Sequence, residues 1–356
     1  MRVGAGRNDP DRPTIIDGMA EPNNAEPDRD RRQEPNRPRL VAISGPTAVG
    51  KTGLAIALAK QFGGEVVNAD SRYLYLGFDI GVAKPSLAER AGIPHHLIDI
   101  LEPDADMSVA RYQDLAYAAI DEIGERTRVP ILVGGTPLYV NAVVEGWRIP
   151  RVPPDPEFRA RLQHEATLLG IEALAARLRQ VDPVAADRSG ANLRRIIRAL
   201  EVWQAAGVPM SVLEGKGPPR YRTLELGLTM PRDRLHRAVD ERVADQVRRG
   251  LVEEVRALVA ASIPEDAPAM SSLGYRQLLP YLRGETDLAS AMRQIERDTH
   301  RYVRHQETWL RRNPRLVAVD VTESGWRQRA AGLVAAFLAD DADSSSSKGV
   351  SELPWR

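Results

Sequence analysis

The residues Gly45-Pro46-Thr47-Ala48-Val49-Gly50-Lys51-Thr52 follow the spacing G-x-x-x-x-G-K-[ST], and each part of it suits a phosphate group. The glycines let the backbone wrap closely and turn its N–H groups inward. A helix N-terminus just beyond adds a partial positive charge. Lys51 can reach the bridging and terminal oxygens of a diphosphate, and the Thr52 hydroxyl is a ligand for Mg²⁺. A glycine-rich turn with no ligand is the plain alternative. Against it, the motif lies between a strand pattern at Leu40–Ser44 and a helical pattern at Thr52–Phe62, which is the setting such a loop needs.

The next strand pattern, Glu65–Ala69, ends in Asp70-Ser71. Carboxyl ends of parallel strands line the ligand crevice, so Asp70 should face the phosphate loop. Its carboxylate could hold Mg²⁺ through water or take a proton from an attacking nucleophile. The plainer role is a helix N-cap. Val133-Gly134-Gly135-Thr136 closes another strand. NTP-hydrolysing P-loop enzymes end that strand in a metal-binding Asp. The glycines argue against hydrolysis and for close backbone approach to a substrate. Asp79-Ile80-Gly81-Val82-Ala83-Lys84-Pro85 carries one of only five lysines, as good a candidate for phosphate as for solvent. Arg194, Arg195 and Arg198 share one helical stretch. Arg293, Arg297, Arg301 and Arg304 share one helix face, followed by Trp309, Arg311 and Arg312. A cationic stripe beside an aromatic suits a nucleic-acid backbone, although such stripes are commonly solvated and Glu296 and Asp298 partly offset this one.

These residues must be carried by a scaffold, and the rest of the chain describes one. Its 356 residues allow two lobes, and 43% hydrophobic with 28% charged residues is ordinary globular composition. The formal net charge of +0 gives no global case for nucleic acid. With no cysteine there is no disulfide, thiolate metal site or zinc finger. No signal peptide or membrane span is evident, which makes the cytoplasm the expected location. Residues 1–38 hold six prolines, eight acidic residues and seven arginines, and are expected to be disordered, with Met19 an alternative start. The same is expected of 340–356. Apolar strand patterns at Leu40–Ser44, Glu65–Ala69, His96–Ile100 and Pro130–Val133 alternate with helices at Leu54–Phe62 and Ala110–Glu125. This alternation predicts an α/β fold, a P-loop NTPase-like parallel sheet with helices on both faces. The first part of that core covers 39–150. A helical insertion follows at 151–220, closed by a Gly/Pro break at Gly215–Pro219. The core resumes over 221–339, with strands at Thr223–Thr229 and Leu316–Asp320 and basic helices between Arg232 and Arg312.

From about Arg39 to Arg312 the chain resembles the tRNA dimethylallyltransferase (tRNA isopentenyltransferase) family, bacterial type. The marks are Gly45–Thr52, Asp70-Ser71-Arg72, Asp79-Ile80-Gly81, Ala83-Lys84-Pro85 and Val133–Thr136 with Leu138-Tyr139. Further on come Arg195–Val202, Gly274-Tyr275-Arg276, Gln306 and Thr308-Trp309. The resemblance implies transfer of a dimethylallyl group from dimethylallyl diphosphate to the exocyclic amine of the adenosine 3′ of the anticodon, by a monomer. In family terms Gly45–Thr52 and Arg242 hold the donor's diphosphate, with Mg²⁺ on Thr52. Asp70 is the general base, and Thr136 sits beside the reacting centre. The anticodon stem-loop is assigned to Asp70, Ser71, Arg72, Tyr73, Thr136, Arg159, Arg194, Arg195, Arg198, Arg276, Arg304, Gln306, Trp309 and Arg311, with the adenine flipped into a channel. Tyr73 and Val82 depart from the family, standing where glutamine or a small aliphatic residue and threonine are usual. His300-Arg301 and Ala238 depart as well. A P-loop kinase of small metabolites explains Gly45–Thr52 and Asp70 equally but leaves the basic helices idle. An adenylate isopentenyltransferase shares the donor chemistry but lacks those helices.

Overall fold

The computed structural model describes residues 37–340. Most of the two terminal segments expected to be disordered lies outside that range. Asp340 falls inside it, capping the last helix and accepting hydrogen bonds from Arg39 and Arg222.

Short runs of β-branched and aliphatic residues form the sheet because they can bury both faces of a strand. They are β1 (Arg39–Ser44), β2 (Gly64–Asn68), β3 (His95–His96) and β4 (Val129–Gly134). Two more follow much later, β7 (Arg222–Thr229) and β8 (Val317–Asp320). Between the two groups, β5 (Trp147–Arg148) and β6 (Gly215–Lys216) pair antiparallel with each other. The six-stranded sheet has the order β3-β2-β4-β1-β7-β8, and every pairing in it is parallel. Alternate residues of β1 feed different cores: Leu40 and Ala42 one, Val41 and Ile43 the other. That two-sided burial is the signature of a doubly covered sheet.

Helices α1 (Lys51–Phe62), α2 (Val109–Glu125) and α3 (Pro137–Val144) cover the first half. The insertion comprises α4 (Pro156–Leu169), α5 (Ile171–Val181), α6 (Pro183–Ser189), α7 (Leu193–Ala206) and α8 (Met210–Leu213). It has its own apolar core around Leu162, Leu174, Leu178, Ile196 and Leu200. The Gly215–Pro219 stretch, read as a break, contributes β6, so the insertion hangs from the two-stranded ribbon β5–β6. After β7 come α9 (Arg232–Arg248), α10 (Leu251–Ala260), α11 (Tyr275–Leu282) and the long α12 (Leu288–Leu310). Helix α13 (Trp326–Ala339) packs beside α1 on the second core.

The strand expected at His96–Ile100 is the main local error. Pairing stops at His96 because Leu97 and Asp99 turn to φ 60° and 57°. Their polar groups go elsewhere: the Leu97 carbonyl to Asn68, the Asp99 carboxylate to Lys84.

Candidate active site at the carboxyl edge of the sheet

Register brings the two chemical turns together. Ser44 of β1 lies opposite Gly134 of β4, so the phosphate loop and the Gly-Gly-Thr turn leave the sheet side by side. Gly45 is required by space: a methyl there would lie 2.8 Å from Val49 Cγ1 and 3.0 Å from the Leu228 carbonyl. Gly50 takes φ 95° and starts α1, and Ala48 accepts φ 71° without glycine's freedom. Thr47, Ala48, Gly50, Lys51 and Thr52 line a cavity of about 740 Å³. Gly45, Pro46 and Val49 do not line it and support the loop from behind. The Pro46 carbonyl accepts from Lys51 Nζ at 2.8 Å, and Val49 is buried in the second core.

Burial pushes the Lys51 ammonium down to about 8, the Arg242 charge acting the same way and Asp70 opposing. Lys51 is therefore costly to keep charged until an anion arrives. Arg242 lies on the same wall and donates to the Val82 carbonyl at 2.8 Å. A hard cation would find the Thr52 hydroxyl here. Among the described residues no three acidic or histidine side chains form a cage of their own. Thr52 with diphosphate oxygens and water fits the way Mg²⁺ is usually held.

Asp70 is fixed as a turn residue, and no helix follows for it to cap. Its N–H donates to Asn68 Oδ1 at 2.8 Å, its carbonyl accepts from Asn68 Nδ2 at 2.9 Å, and its Oδ1 accepts from the Arg72 N–H at 3.0 Å. Oδ2 is turned towards Gly135, where a methyl would lie 3.3 Å from it and 2.8 Å from Gln306 Nε2. Thr136 accepts from the Ser71 N–H at 3.0 Å and donates to the Ser71 hydroxyl at 3.2 Å. The close approach expected of Gly134-Gly135 is thus internal. A methyl on Gly134, which also lines the first cavity, would strike the Ala69 carbonyl at 2.1 Å, so these glycines make room for the turn that carries Asp70.

A second cavity, of about 680 Å³, adjoins the first. Ser71, Arg72, Thr136, Leu138, Arg195, Arg276, Arg301, Tyr302, His305 and Trp309 line it, and Trp309 is 41% exposed. Thr47, Asp70 and Arg242 line both cavities.

Several residues expected to meet RNA take other roles. Tyr73 lines the first cavity, not the second, and its hydroxyl donates to the Ala83 carbonyl at 2.7 Å. Gln306 is 2% exposed and both amide atoms are used, accepting from the Thr47 N–H at 2.9 Å and donating to the Gly135 carbonyl at 2.7 Å. It clamps the two turns together. Arg159 and Arg198 turn onto the buried carboxylate of Glu201 and hold the insertion together instead of pointing outward. Arg194, Arg304 and Arg311 are exposed but lie outside both cavity walls. Lys84 lines the first cavity, but it is buried and its ammonium is engaged elsewhere, donating to the Tyr75 carbonyl at 2.9 Å and to Asp79 and Asp99. The strap 79–85 lines the site, with Ala83, Lys84 and Pro85 on the first cavity and Gly81 and Val82 on the second, and it is braced from outside. Glu254 accepts from the N–H groups of Asp79, Ile80 and Gly81, and Gln246 donates to the carbonyls of Ile80 and Gly81.

Asn68 and Tyr302 were not singled out in the sequence. Tyr302 Oη donates to the Gly135 carbonyl at 3.1 Å, and burial pushes its phenol up. Its one sequence signal is the four-residue spacing to Gln306, which puts both on one face of α12.

The chain matches the sequence profile of the IPP transferase family over residues 73–313. It is 55% identical over 308 residues to a protein of Thermomicrobium roseum named tRNA dimethylallyltransferase, covering 86% of this chain and 94% of the relative. A protein of the same name from Roseiflexus is 48% identical over 300 residues, covering 84% and 98%. Among solved structures, a tRNA isopentenylpyrophosphate transferase of Bacillus halodurans superposes with TM-score 0.63 at 39% identity, covering 84% of this chain and 96% of that one. A eukaryotic dimethylallyltransferase acting on tRNA gives TM-score 0.72 at 25% identity, covering 85% and 79%. With a profile spanning most of the chain, and relatives this similar along nearly their whole length, the chain belongs to the IPP transferase family of tRNA dimethylallyltransferases.

Proposed function

We propose that the protein transfers a dimethylallyl group from dimethylallyl diphosphate to the exocyclic amine of the adenosine 3′-adjacent to the anticodon in tRNA. The observation that carries this reading is the pair of cavities meeting at Thr47, Asp70 and Arg242. A cavity lined by the phosphate loop and an adjoining cavity lined by arginines and Trp309 suit two substrates meeting at one carboxylate. The named relatives, one of them titled as acting on tRNA, support the same pair of substrates.

The bonds balance simply. The allylic carbon–oxygen bond of the donor breaks, its electrons leaving with the diphosphate. The adenine nitrogen forms the new bond to that carbon and releases one proton, for which the Asp70 carboxylate is the acceptor. Lys51 and Arg242 match the charge developing on the leaving group. Mg²⁺, when bound at Thr52, adds charge neutralisation there. Asn68 and the Arg72 N–H hold Asp70 in place, and the amine needs positioning more than activation. Reaching an amine in a stacked loop requires the base to be flipped out. In the second cavity, Thr136, Arg195, Arg276 and Trp309 are the residues we assign to the RNA, with Ser71 and Arg72 at its floor. Arg194, Arg304 and Arg311 would meet phosphates beyond it. Action as a cytoplasmic monomer belongs to the same proposal; no helix among the described residues is long and apolar enough to cross a membrane.

Incubation with dimethylallyl diphosphate, Mg²⁺ and unmodified tRNA, followed by nucleoside mass spectrometry, tests it. Dimethylallyladenosine is the expected product. Prenylation of free adenylate instead, or phosphorylation of a metabolite from ATP in a parallel reaction, would overturn it.

A further inference from the structure

Asp298 of α12 lies on the wall of the second cavity, yet only 9% of its side chain is exposed. A buried carboxylate needs partners, and three side chains supply them. Gln277 Nε2 donates to Oδ2 at 2.8 Å, Arg276 Nη2 lies 3.5 Å from the same oxygen, and Arg301 Nη1 donates to Oδ1 at 3.3 Å. Gln277 is fixed in turn, because its Oε1 accepts from the Gly274 N–H at 3.0 Å where α11 begins. A neutral amide thus holds the carboxylate, and the carboxylate gathers one guanidinium from α11 and one from α12.

The two arginines are not used up by it. Their contacts to Asp298 are longer than the roughly 2.7–2.9 Å of a strong charge-assisted bond. Among the described residues Asp298 is the only carboxylate paired with either of them. Each guanidinium carries several N–H donors, so most remain for a ligand. Arg276 and Arg301 are 52% and 64% exposed at the side chain, and both line the second cavity. Two cations with one anion leave the cluster at net +1, the charge that a single phosphodiester neutralises. Arg301 is also one of the positions at which this chain departs from its family.

We propose that Arg276 and Arg301 form a clamp for one backbone phosphate of the RNA, with Asp298 as the positioning residue that holds both guanidiniums at the cavity wall. This rests on the RNA reading of the second cavity given under Proposed function. It also reverses the simplest expectation for Asp298: a carboxylate that merely offsets a basic stripe weakens RNA binding, whereas one that aims two arginines strengthens it.

The test is filter binding of the full chain to an anticodon stem-loop RNA and to a set of the same RNA in which single loop linkages are uncharged methylphosphonates. Wild-type protein that binds neither this RNA nor tRNA overturns the RNA reading and this inference with it. Given wild-type binding, one linkage should cost the wild type about 10-fold when neutralised, the effect of one charge-assisted contact. The same linkage should cost the double variant Arg276→Gln, Arg301→Gln nothing. If no linkage separates the two proteins, the clamp is overturned while the RNA reading stands. Both arginines are exposed, so this comparison does not depend on a buried substitution. Asp298→Asn still offers Gln277 an acceptor and should weaken binding of the unmodified RNA about 3- to 10-fold, although it makes the protein more positive. Unchanged or tighter binding overturns the positioning role, since Asp298 would then only offset charge. Binding of pyrophosphate at the phosphate loop should be the same in every variant. Its loss in Asp298→Asn together with a lowered melting temperature overturns the positioning role too, reassigning Asp298 to the packing of α11 on α12.

Discussion

Asp70 and Lys51 stand at the centre of the site, and their surroundings make different demands on them. Asp70 has one oxygen tied to the Arg72 N–H and the other turned towards Gly135, so it is aimed before any substrate arrives. If it takes the amine proton, Asp70→Ala should cost about 10²- to 10⁴-fold in prenyl transfer, read by mass spectrometry, with tRNA affinity nearly unchanged. Unaltered turnover would reject it as the base. Lys51 is held down to about 8 by burial, so in the free protein it loses its proton as the pH rises through about 8. A diphosphate binds the ammonium form, and affinity for pyrophosphate should decline above that pH. Pyrophosphate gains charge over the same range, which acts in the opposite direction, so the informative quantity is a difference. The wild type should lose affinity relative to Lys51→Arg, whose guanidinium stays charged. Parallel profiles in calorimetry would remove Lys51 from diphosphate binding.

Helix α12 does two jobs with two faces. Its buried side carries Tyr302 and Gln306, which bind the Gly135 carbonyl, and Gln306 also holds the phosphate loop through the Thr47 N–H. Its exposed side carries Arg293, Arg297, Arg301 and Arg304. Of the two acidic residues expected to offset this stripe, Asp298 is buried, hydrogen-bonded by Gln277 and paired with Arg276 and Arg301. If the stripe meets RNA phosphates, Arg297→Gln with Arg304→Gln should flatten the dependence of log K on log salt by about 0.7–0.9 for each phosphate no longer neutralised. An unchanged slope in filter binding would make the stripe an ordinary solvated face. Strap 79–85 teaches the opposite lesson about charge. A lysine beside Gly and Pro looked available to phosphate, yet Lys84 is fully engaged by Tyr75, Asp79 and Asp99.

At the scale of the whole molecule, the insertion has a separate apolar core and hangs from the β5–β6 ribbon, so it can fail without the sheet failing. Glu201 is the polar centre of that unit, accepting from the Asp155 N–H and from Arg159 and Arg198. Glu201→Ala leaves two guanidiniums facing a buried gap and should destabilise the insertion by about 3–5 kcal/mol. Circular dichroism should then record an early loss of helix. Binding of tRNA should fall, while binding of pyrophosphate to the phosphate loop should persist. Simultaneous loss of both would mean that the insertion and the core unfold as one.

What the sequence determined by itself is local. The phosphate loop follows from glycine conformation and a lysine at fixed spacing, and the parallel sheet from the alternation of apolar strand and amphipathic helix patterns, because both arise from neighbours along the chain. The carboxyl-edge position of Asp70 and Thr136 followed from the same topology. Tertiary structure alone decided which polar side chains were free. Gln306, Arg159, Arg198, Lys84 and Tyr73 all looked like surface or ligand groups, but each found a partner outside its own turn of chain: Thr47 for Gln306, Glu201 for Arg159, the Pro150 and Val152 carbonyls for Arg198, Asp99 for Lys84, Ala83 for Tyr73. A buried polar group must be satisfied, and the partner that satisfies it is selected by packing in three dimensions. Composition and spacing can say that such a residue is able to bind phosphate or RNA, but only the fold decides whether its hydrogen bonds have already been used.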